Sequence, residues 1–368
     1  MKILHLNAGN ETGGGMVHIL SLLKELKKED DQFILGLFEK GLFYEKAVSA
    51  GIHTVSFEQS SRYDFGILSK LIKFIKTENI AIIHTHGARA NFYGYLLRWM
   101  TNVTWFTTVH SDPRNDFLGR GAVGRFFTRL HLFVLKKPDH FFAISSRFKD
   151  MLLEFGVDIS KITTIFNGID FTEEKTALSQ EVLKLSQADF VIIMVARFDP
   201  VKRHDLAIEA FGKFVENHPD AKLLFVGDGP TRIEMERLVE QKGLASQVRF
   251  LGYREDISAL FTLADVTILT SKTESFPLVL LESAREKTPV ITTDVGGVRD
   301  MIPDSSYGFV LENSDVNTIT GALEKIYDLK KHHKLTEMGE RFYQFTSSHF
   351  SSQKFAESIY KSYKLLKR

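Results

Sequence analysis

Residues 270–297 read TSKTESFPLVLLESAREKTPVITTDVGG, and their order of strand, loop, helix, strand and loop sets the pattern for the chain. The preceding run DVTILT, residues 265–270, is short, apolar and β-branched, as a buried strand requires. Polar residues follow from Ser271, and Pro277 then stands where a helix can begin, since its missing N–H would be unpaired in the first turn anyway. Leu278, Leu280, Leu281 and Ala284 predict a largely apolar helix. Two carboxylates interrupt this pattern, Glu274 just before the helix and Glu282 within it. A charge in such a segment needs a partner, because burying it alone is costly. As ordinary helix residues, Glu274 would be a cap acid and Glu282 an exposed position. In the other reading both face a polar ligand at the carboxyl end of a parallel sheet, where open α/β folds bind ligands.

Working outward, the same alternation fills the chain. In the first half, residues 2–6, 33–37, 80–84, 103–109 and 140–144 read as strands, and 16–26, 66–75, 88–99 and 122–135 have helical spacing. In the second half the strands are 190–195, 222–226, 248–251, 266–270, 289–293 and 308–311, with helices at 204–215, 231–241, 257–263 and 277–285. Such alternation predicts an α/β protein of β–α–β units, with parallel sheets and helices on both faces. Two doubly wound halves are expected, at 1–172 and 173–351, with residues 167–188 as the linker because they carry no strand pattern. The tail places Phe355, Ile359, Tyr363 and Leu366 at helical spacing, with Lys354, Glu357, Lys361 and Lys364 around the rest of the helix. That stripe must pack either on the second half or back on the first.

Composition narrows the function. A chain of 368 residues exceeds one compact core. The 47 basic and 46 acidic side chains nearly cancel, which argues against a nucleic-acid binder. Cysteine is absent, removing disulfides, thiolate catalysis and Cys-ligated metals. No apolar run approaches the ~18–20 residues that span a bilayer, and the N-terminus turns polar too soon for a signal peptide, so a cytoplasmic protein is expected.

The loops after strands carry the polar chemistry. Gly13, Gly14 and Gly15 follow the first strand and let backbone N–H groups approach an anion at a helix N-terminus, although a tight turn without a ligand has the same composition. The loop completes neither a dinucleotide fingerprint, since the third glycine position falls on His18, nor a Walker motif. A nicotinamide dehydrogenase is excluded again at Gly227-x-Gly229, where Arg232 takes the last position. His84 suits a core position, whereas His86 and His110 lie beyond their strands and can reach a ligand. No third ligand has convincing spacing, so hydrogen bonding is favoured over a metal. In the second half, Arg197 and Lys202 stand where such sheets receive phosphate, and Gly227-Asp228-Gly229 and Arg254 occupy the next two strand ends.

Together these pieces resemble the retaining GT-B glycosyltransferases of family 4 over nearly the whole chain. The matching motifs are the glycine loop, His110, Asn167-Gly168-Ile169-Asp170, Arg197 with Lys202, Gly227-Asp228-Gly229, and above all Glu274 and Glu282 separated by seven residues within ESFPLVLLES, with VGG after the next strand. Two positions depart from the pattern: many relatives have Gly where Ser275 and Arg203 stand. The resemblance implies two Rossmann-like domains facing each other across a cleft, with helix 352–368 returning to the N-terminal one. It also implies that Arg197 and Lys202 stabilise a leaving diphosphate, helped by backbone donors at Gly14 and Gly15. Glu282 would hold the ribose and Glu274 the sugar. Gly227, Asp228, Arg254, Ser275, Phe276, Leu278 and Val279 would complete the nucleotide-sugar site, with Pro277 unable to donate. His110 would touch the sugar and align the acceptor, with His86, Arg89 and Asp112 on the acceptor side.

The chain has no Asp-x-Asp triplet, in keeping with protein cations replacing a divalent metal, so no cofactor is expected beyond the co-substrate, taken as a UDP-sugar. No carboxylate in the N-terminal loops suits covalent double displacement, which leaves front-face transfer. The expected acceptor is a hydroxyl of a glycan or lipid-linked envelope precursor. Residues 115–137 mix Arg120, Arg125 and Arg129 with Phe126, Phe127 and Phe133; this is either an ordinary amphipathic helix or one that rests on the inner face of an anionic membrane. The alternatives are a nucleotide-sugar epimerase on the same fold and a non-catalytic nucleotide-binding protein.

Overall fold

The computed structural model describes residues 1–11, 13–61, 64–114, 121–172, 183 and 185–366. The chain divides into two compact units, Met1–Gly168 with Ser352–Arg368, and Ile169–Ser351. The first contains a seven-stranded sheet in the order β3-β2-β1-β4-β5-β6-β7. Its strands are β1 (Lys2–Asn7), β2 (Gln32–Leu37), β3 (Thr54–Ser56), β4 (Ile82–His86), β5 (Thr104–Val109), β6 (His140–Ala143) and β7 (Ile162–Thr164). Its helices are α1 (Gly14–Leu26), α2 (Leu42–Ser49), α3 (Gly66–Glu78), α4 (Ala88–Thr101), α5 (Gly121–Val134) and α6 (Ser146–Glu154).

The second unit holds a six-stranded sheet in the order β10-β9-β8-β11-β12-β13. These strands are β8 (Phe190–Val195), β9 (Ala221–Val226), β10 (Val248–Phe250), β11 (Val266–Leu269), β12 (Val290–Thr293) and β13 (Phe309–Leu311). The helices are α7 (His204–Val215), α8 (Arg232–Gln241), α9 (Ile257–Leu263), α10 (Leu278–Arg285), α11 (Val298–Met301), α12 (Val316–Lys331) and α13 (Leu335–His349). The last helix, α14 (Ser352–Leu366), belongs to the first unit.

Strand order reverses between β1 and β4 in one sheet and between β8 and β11 in the other. Ligands of doubly wound folds sit at such switch points, beyond the carboxyl ends of the strands. The glycine loop and His86 lie at the first switch point; the loops carrying Arg197, Lys202 and Glu274 lie at the second.

Alternation along β1 sends Leu4 and Leu6 into the core layer with α3 and α4, and Ile3 into the layer with α1 and α14. The tail stripe is explained by that second layer, where Phe355, Ile359 and Tyr363 are 3%, 0% and 0% exposed. Leu366, expected in the same stripe, is 39% exposed. The unit boundary also differs from the expected one after residue 172. The Ile169 N–H donates to the Phe350 carbonyl (3.1 Å) and Ile169 bridges Ser351, so the chain enters the second unit inside the Asn167–Asp170 motif. Much of the expected linker, residues 173–182 and 184, lies outside the described residues.

The layer beneath α1 and α14 is polar as well as apolar. The register pairs His5 with His84 and Asn7 with His86, and these side chains are all buried. Burial holds His5 down to about 3, with the nearby His18 acting the same way. It lowers His18 to about 4 against the opposing pull of its Asn167 hydrogen bond.

Two outcomes are expected. Ile359→Ala should cost about 2–4 kcal/mol in denaturant unfolding of the first unit, because it empties a site with no solvent access. Stability should also fall as pH drops from about 6.5 towards 4, because the unfolded chain takes up protons there that the folded histidines refuse. Each such histidine contributes on the order of 3 kcal/mol by pH 4, measurable as a loss of thermal midpoint over that window but not above pH 7.

Candidate active site

In the second unit the loops after β8 and β11 are bonded to one another. After β8 the Asp199 carboxylate accepts from the Val201 N–H (3.2 Å) and caps a single 3-10 turn, Pro200–Lys202. Arg203 follows at φ +54°, a left-handed conformation in which glycine is unstrained. Thr270, just past β11, shares its hydroxyl proton between the carbonyls of Lys202 (3.0 Å) and Arg203 (2.9 Å). The Lys272 N–H donates to the Val201 carbonyl (2.8 Å), and the Thr293 hydroxyl donates to that of Ser271 (2.7 Å).

This scaffold sets Lys202 Nζ 2.5 Å from Glu274 Oε1, an oxygen that also accepts from Ser271 Oγ (2.6 Å). The two charged side chains are 23% and 14% exposed, dry enough to strengthen the pair and open enough to meet a ligand. The Glu274 loop rests on the VGG turn. Gly296 has φ +52°, and a Cβ there would lie 2.3 Å from the Ser275 carbonyl oxygen, which accepts from the Gly297 N–H (2.9 Å). Gly227 meets the loop after β8 in the same way: a Cβ would lie 2.2 Å from the Ala196 carbonyl oxygen.

The remaining second-unit candidates are placed less centrally. Arg197 is 70% exposed and bonds Asp199 (2.5 Å). Arg254 forks onto Asp256 (2.7 and 2.5 Å), and Asp228 accepts from the Gly229 N–H (2.7 Å) and from Arg232 (3.3 Å). The Phe276 ring is buried against Phe350, at 5.9 Å between centroids. Pro277 is the residue before α10, Leu278 and Val279 are half-buried in its first turn, and Glu282 is half-buried one turn later. The structure thus brings Lys202, Glu274 and Ser275 together. Thr270, Ser271 and Thr293, which hold them, look in sequence like any strand-end hydroxyls.

In the first unit a carboxylate already stands at the expected anion position. Glu11 Oε2 would lie 2.2 Å from a Cβ on Gly15, and Glu11 Oε1 accepts from Asn7 Nδ2 (2.9 Å). An incoming phosphate at Gly14 and Gly15 would have to displace it. His86 ends β4 instead of lying beyond it, because Thr85 and His86 pair with both β1 and β5. His86 Nδ1 meets His110 Nε2 (3.0 Å), and His86 Nε2 meets His5 Nδ1 (3.1 Å). His18 Nδ1 bonds Asn167 Oδ1 (2.6 Å). Three imidazole nitrogens come within 4.8 Å of one another in His5, His84 and His86, and again in His18, His86 and His110. Folding thus supplies the third histidine that loop spacing does not show, although most of these nitrogens already have hydrogen-bond partners.

Beside His86, at the carboxyl ends of β4 and β5, lies a cavity of about 880 Å³ lined by Glu11, Phe65, Arg89, Phe92 and Phe126 among others. Arg89 is tied there to Glu39, with Gln59 Oε1 at 3.4 Å. Asp112 does not line the cavity; it holds Arg114 at 2.6 Å.

Comparison with known proteins agrees with this geometry. The family model described as Glycosyltransferase Family 4 matches residues 12–173, and that described as Glycosyl transferases group 1 matches residues 176–344. The N-acetyl-alpha-D-glucosaminyl L-malate synthase of Bacillus anthracis is 31% identical over 328 residues, 84% of this chain and 82% of its own length. The Escherichia coli UDP-Gal:alpha-D-GlcNAc-diphosphoundecaprenol alpha-1,3-galactosyltransferase is 28% identical over 277 residues, 73% of this chain and 71% of its own. Among solved structures, Anabaena Alr3699/HepE in complex with UDP superposes with a TM-score of 0.87 at 19% identity, covering 99% of this chain and 100% of that one, a likeness of fold. Two parallel-sheet units with the Lys202–Glu274 pair at a switch point, two adjoining family matches and a 31% identical relative lead to one assignment: the chain belongs to the family 4, group 1 glycosyltransferases.

Proposed function

We propose that this protein transfers a sugar, with retention at the anomeric carbon, from a UDP-sugar to a hydroxyl of an amphipathic acceptor. The observation that carries the reading is the Lys202–Glu274 pair, pinned at its strand ends by Thr270 and Ser271. A nucleotide sugar brings a diphosphate and a ring of hydroxyls. Lys202 supplies the cation that stabilises charge growing on the leaving diphosphate, a role elsewhere given to a divalent metal. Glu274 accepts from the sugar hydroxyls through its second oxygen. Glu282, one helical turn into α10, is assigned the ribose, and Arg197 the phosphates once it leaves Asp199. Front-face transfer, with a phosphate oxygen taking the acceptor proton, fits a site whose Glu274 carboxylate is already paired with a lysine.

The acceptor is assigned to the cavity beside His86. Its aromatic wall of Phe65, Phe92 and Phe126 suits an apolar body, and Arg89 with Glu11 suits a polar head. A lipid-linked envelope precursor has that division, and the E. coli relative is named for such an acceptor. On α5, Phe126 and Phe133 are 63% and 51% exposed beside the exposed Arg125 and Arg129, a face suited to the inner leaflet of an anionic membrane. The first part of that segment, including Arg120, lies outside the described residues. Among the described residues no helix is long and apolar enough to cross a membrane.

Mass-spectrometric screening of UDP-, GDP- and ADP-sugars should show turnover with a UDP-sugar that survives EDTA and yields the α-linked product from an α-linked donor. Lys202→Ala and Glu274→Gln should each lower kcat by about a hundredfold or more with the fold retained, and full activity in either would refute the assignment. Conversion of the donor to its epimer without acceptor would favour the epimerase reading instead. Vesicles containing anionic lipid should sediment the protein, and Arg125→Gln with Arg129→Gln should together weaken that binding by roughly thirtyfold, about 1 kcal/mol for each charge.

A further inference from the structure

Between the first sheet and helices α1 and α14, six side chains bond end to end. Thr108 Oγ1 meets His84 Nε2 (2.7 Å), and His84 Nδ1 meets the Tyr363 hydroxyl. Tyr363 reaches His5 Nε2 (3.3 Å), His5 Nδ1 meets His86 Nε2 (3.1 Å), and His86 Nδ1 meets His110 Nε2 (3.0 Å). The four imidazoles come from β1, β4 and the residue just after β5, three adjacent strands, and the phenol from α14. Burial keeps all four neutral at pH 7, with His5 held to about 3 and the other three well below the ordinary histidine value.

A neutral imidazole has one N–H and one bare nitrogen. Each ring that accepts on one side must therefore donate on the other, and the whole file has only two possible polarities. Thr108 chooses between them. Its side chain is 1% exposed, and among the described residues its hydroxyl bonds only His84. Aiming the hydroxyl proton elsewhere would leave a buried O–H unpaired, so Thr108 donates. Every following bond then runs the same way: His84 Nδ1–H to Tyr363, Tyr363 O–H to His5, His5 Nδ1–H to His86, and His86 Nδ1–H to His110. No proton crosses the file, because it ends on a threonine whose alkoxide is out of reach. The file instead fixes tautomers.

We infer that Thr108, His84, Tyr363, His5 and His86 are positioning residues that lock His110 as an Nδ1–H donor, so that it meets the substrate by donating to an oxygen and not as a base. Its Nδ1 has no partner among the described residues and is left for that role. The functional half of this inference rests on the sugar-transfer reading above; the tautomer pattern does not.

The test is long-range ¹H–¹⁵N correlation on the full chain labelled at histidine, with signals assigned by single His→Gln variants. At pH 7, His5, His84, His86 and His110 should all carry their proton on Nδ1. An Nε2–H on any of them, or an imidazolium, overturns the file. In Thr108→Val the donor is gone, and His110 should populate the Nε2–H form. With the proposed transferase activity in hand, kcat should then fall by about tenfold while the donor KM holds, with Thr108→Ser restoring both signal and rate. A His110 signal and kcat unchanged in Thr108→Val would overturn the positioning role. Should no sugar transfer be found, the function fails while the wild-type tautomers are still read directly.

Discussion

Parallel strand pairing is the constraint on which the site depends. Because β8 and β11 run the same way and lie side by side, their carboxyl ends share an edge. Lys202 and Glu274, 72 residues apart, therefore emerge from neighbouring loops. An antiparallel arrangement would send the two loops to opposite edges of the sheet. The hydroxyls of Thr270 and Thr293 turn that proximity into fixed geometry by bonding carbonyls on neighbouring loops, and Ser271 steadies Glu274 within its own loop. The glycine turn at residues 296–297 completes the support by letting one backbone pass beneath another.

The two units answer the problem of polar burial differently. The second keeps full charges, but at a half-dry surface and in contact, where attraction offsets lost hydration. In the histidine layer of the first, the polar groups lie much deeper and carry no charge at pH 7. Neutral imidazoles that donate on one side and accept on the other satisfy each other without the desolvation penalty of an ion. His204 in the second unit stacks on Phe198 and has no such partner: both ring nitrogens are buried and unbonded among the described residues.

Much of the fold is legible in the sequence because apolar, β-branched runs alternate with amphipathic ones. Strands β3 and β7 are not, since both are three-residue, half-buried strands at the sheet edges and carry too few core positions to leave a pattern. Glu274 is legible through its spacing from Glu282, but its link to Lys202 is not, because it depends on which strands are neighbours. Phe276 reads from its motif as a ligand contact through the backbone, a reading that leaves its ring to pack in the core against Phe350. The histidine file is invisible to any local rule: residues 5, 84, 86, 108, 110 and 363 meet only after strands β1 to β5 and helix α14 have assembled.

The contribution of α14 to the first unit also orders events during synthesis. Strand β1 leaves the ribosome long before the helix that covers its histidine-bearing face is made. From Gly168 to Tyr363 a further 195 residues must be translated, about 10–40 s at ordinary elongation rates. During that interval the second unit can close while the first waits with one face open. A chain stopped before residue 352 would thus carry a finished second unit attached to an unfinished first one, a ready substrate for chaperones and proteases.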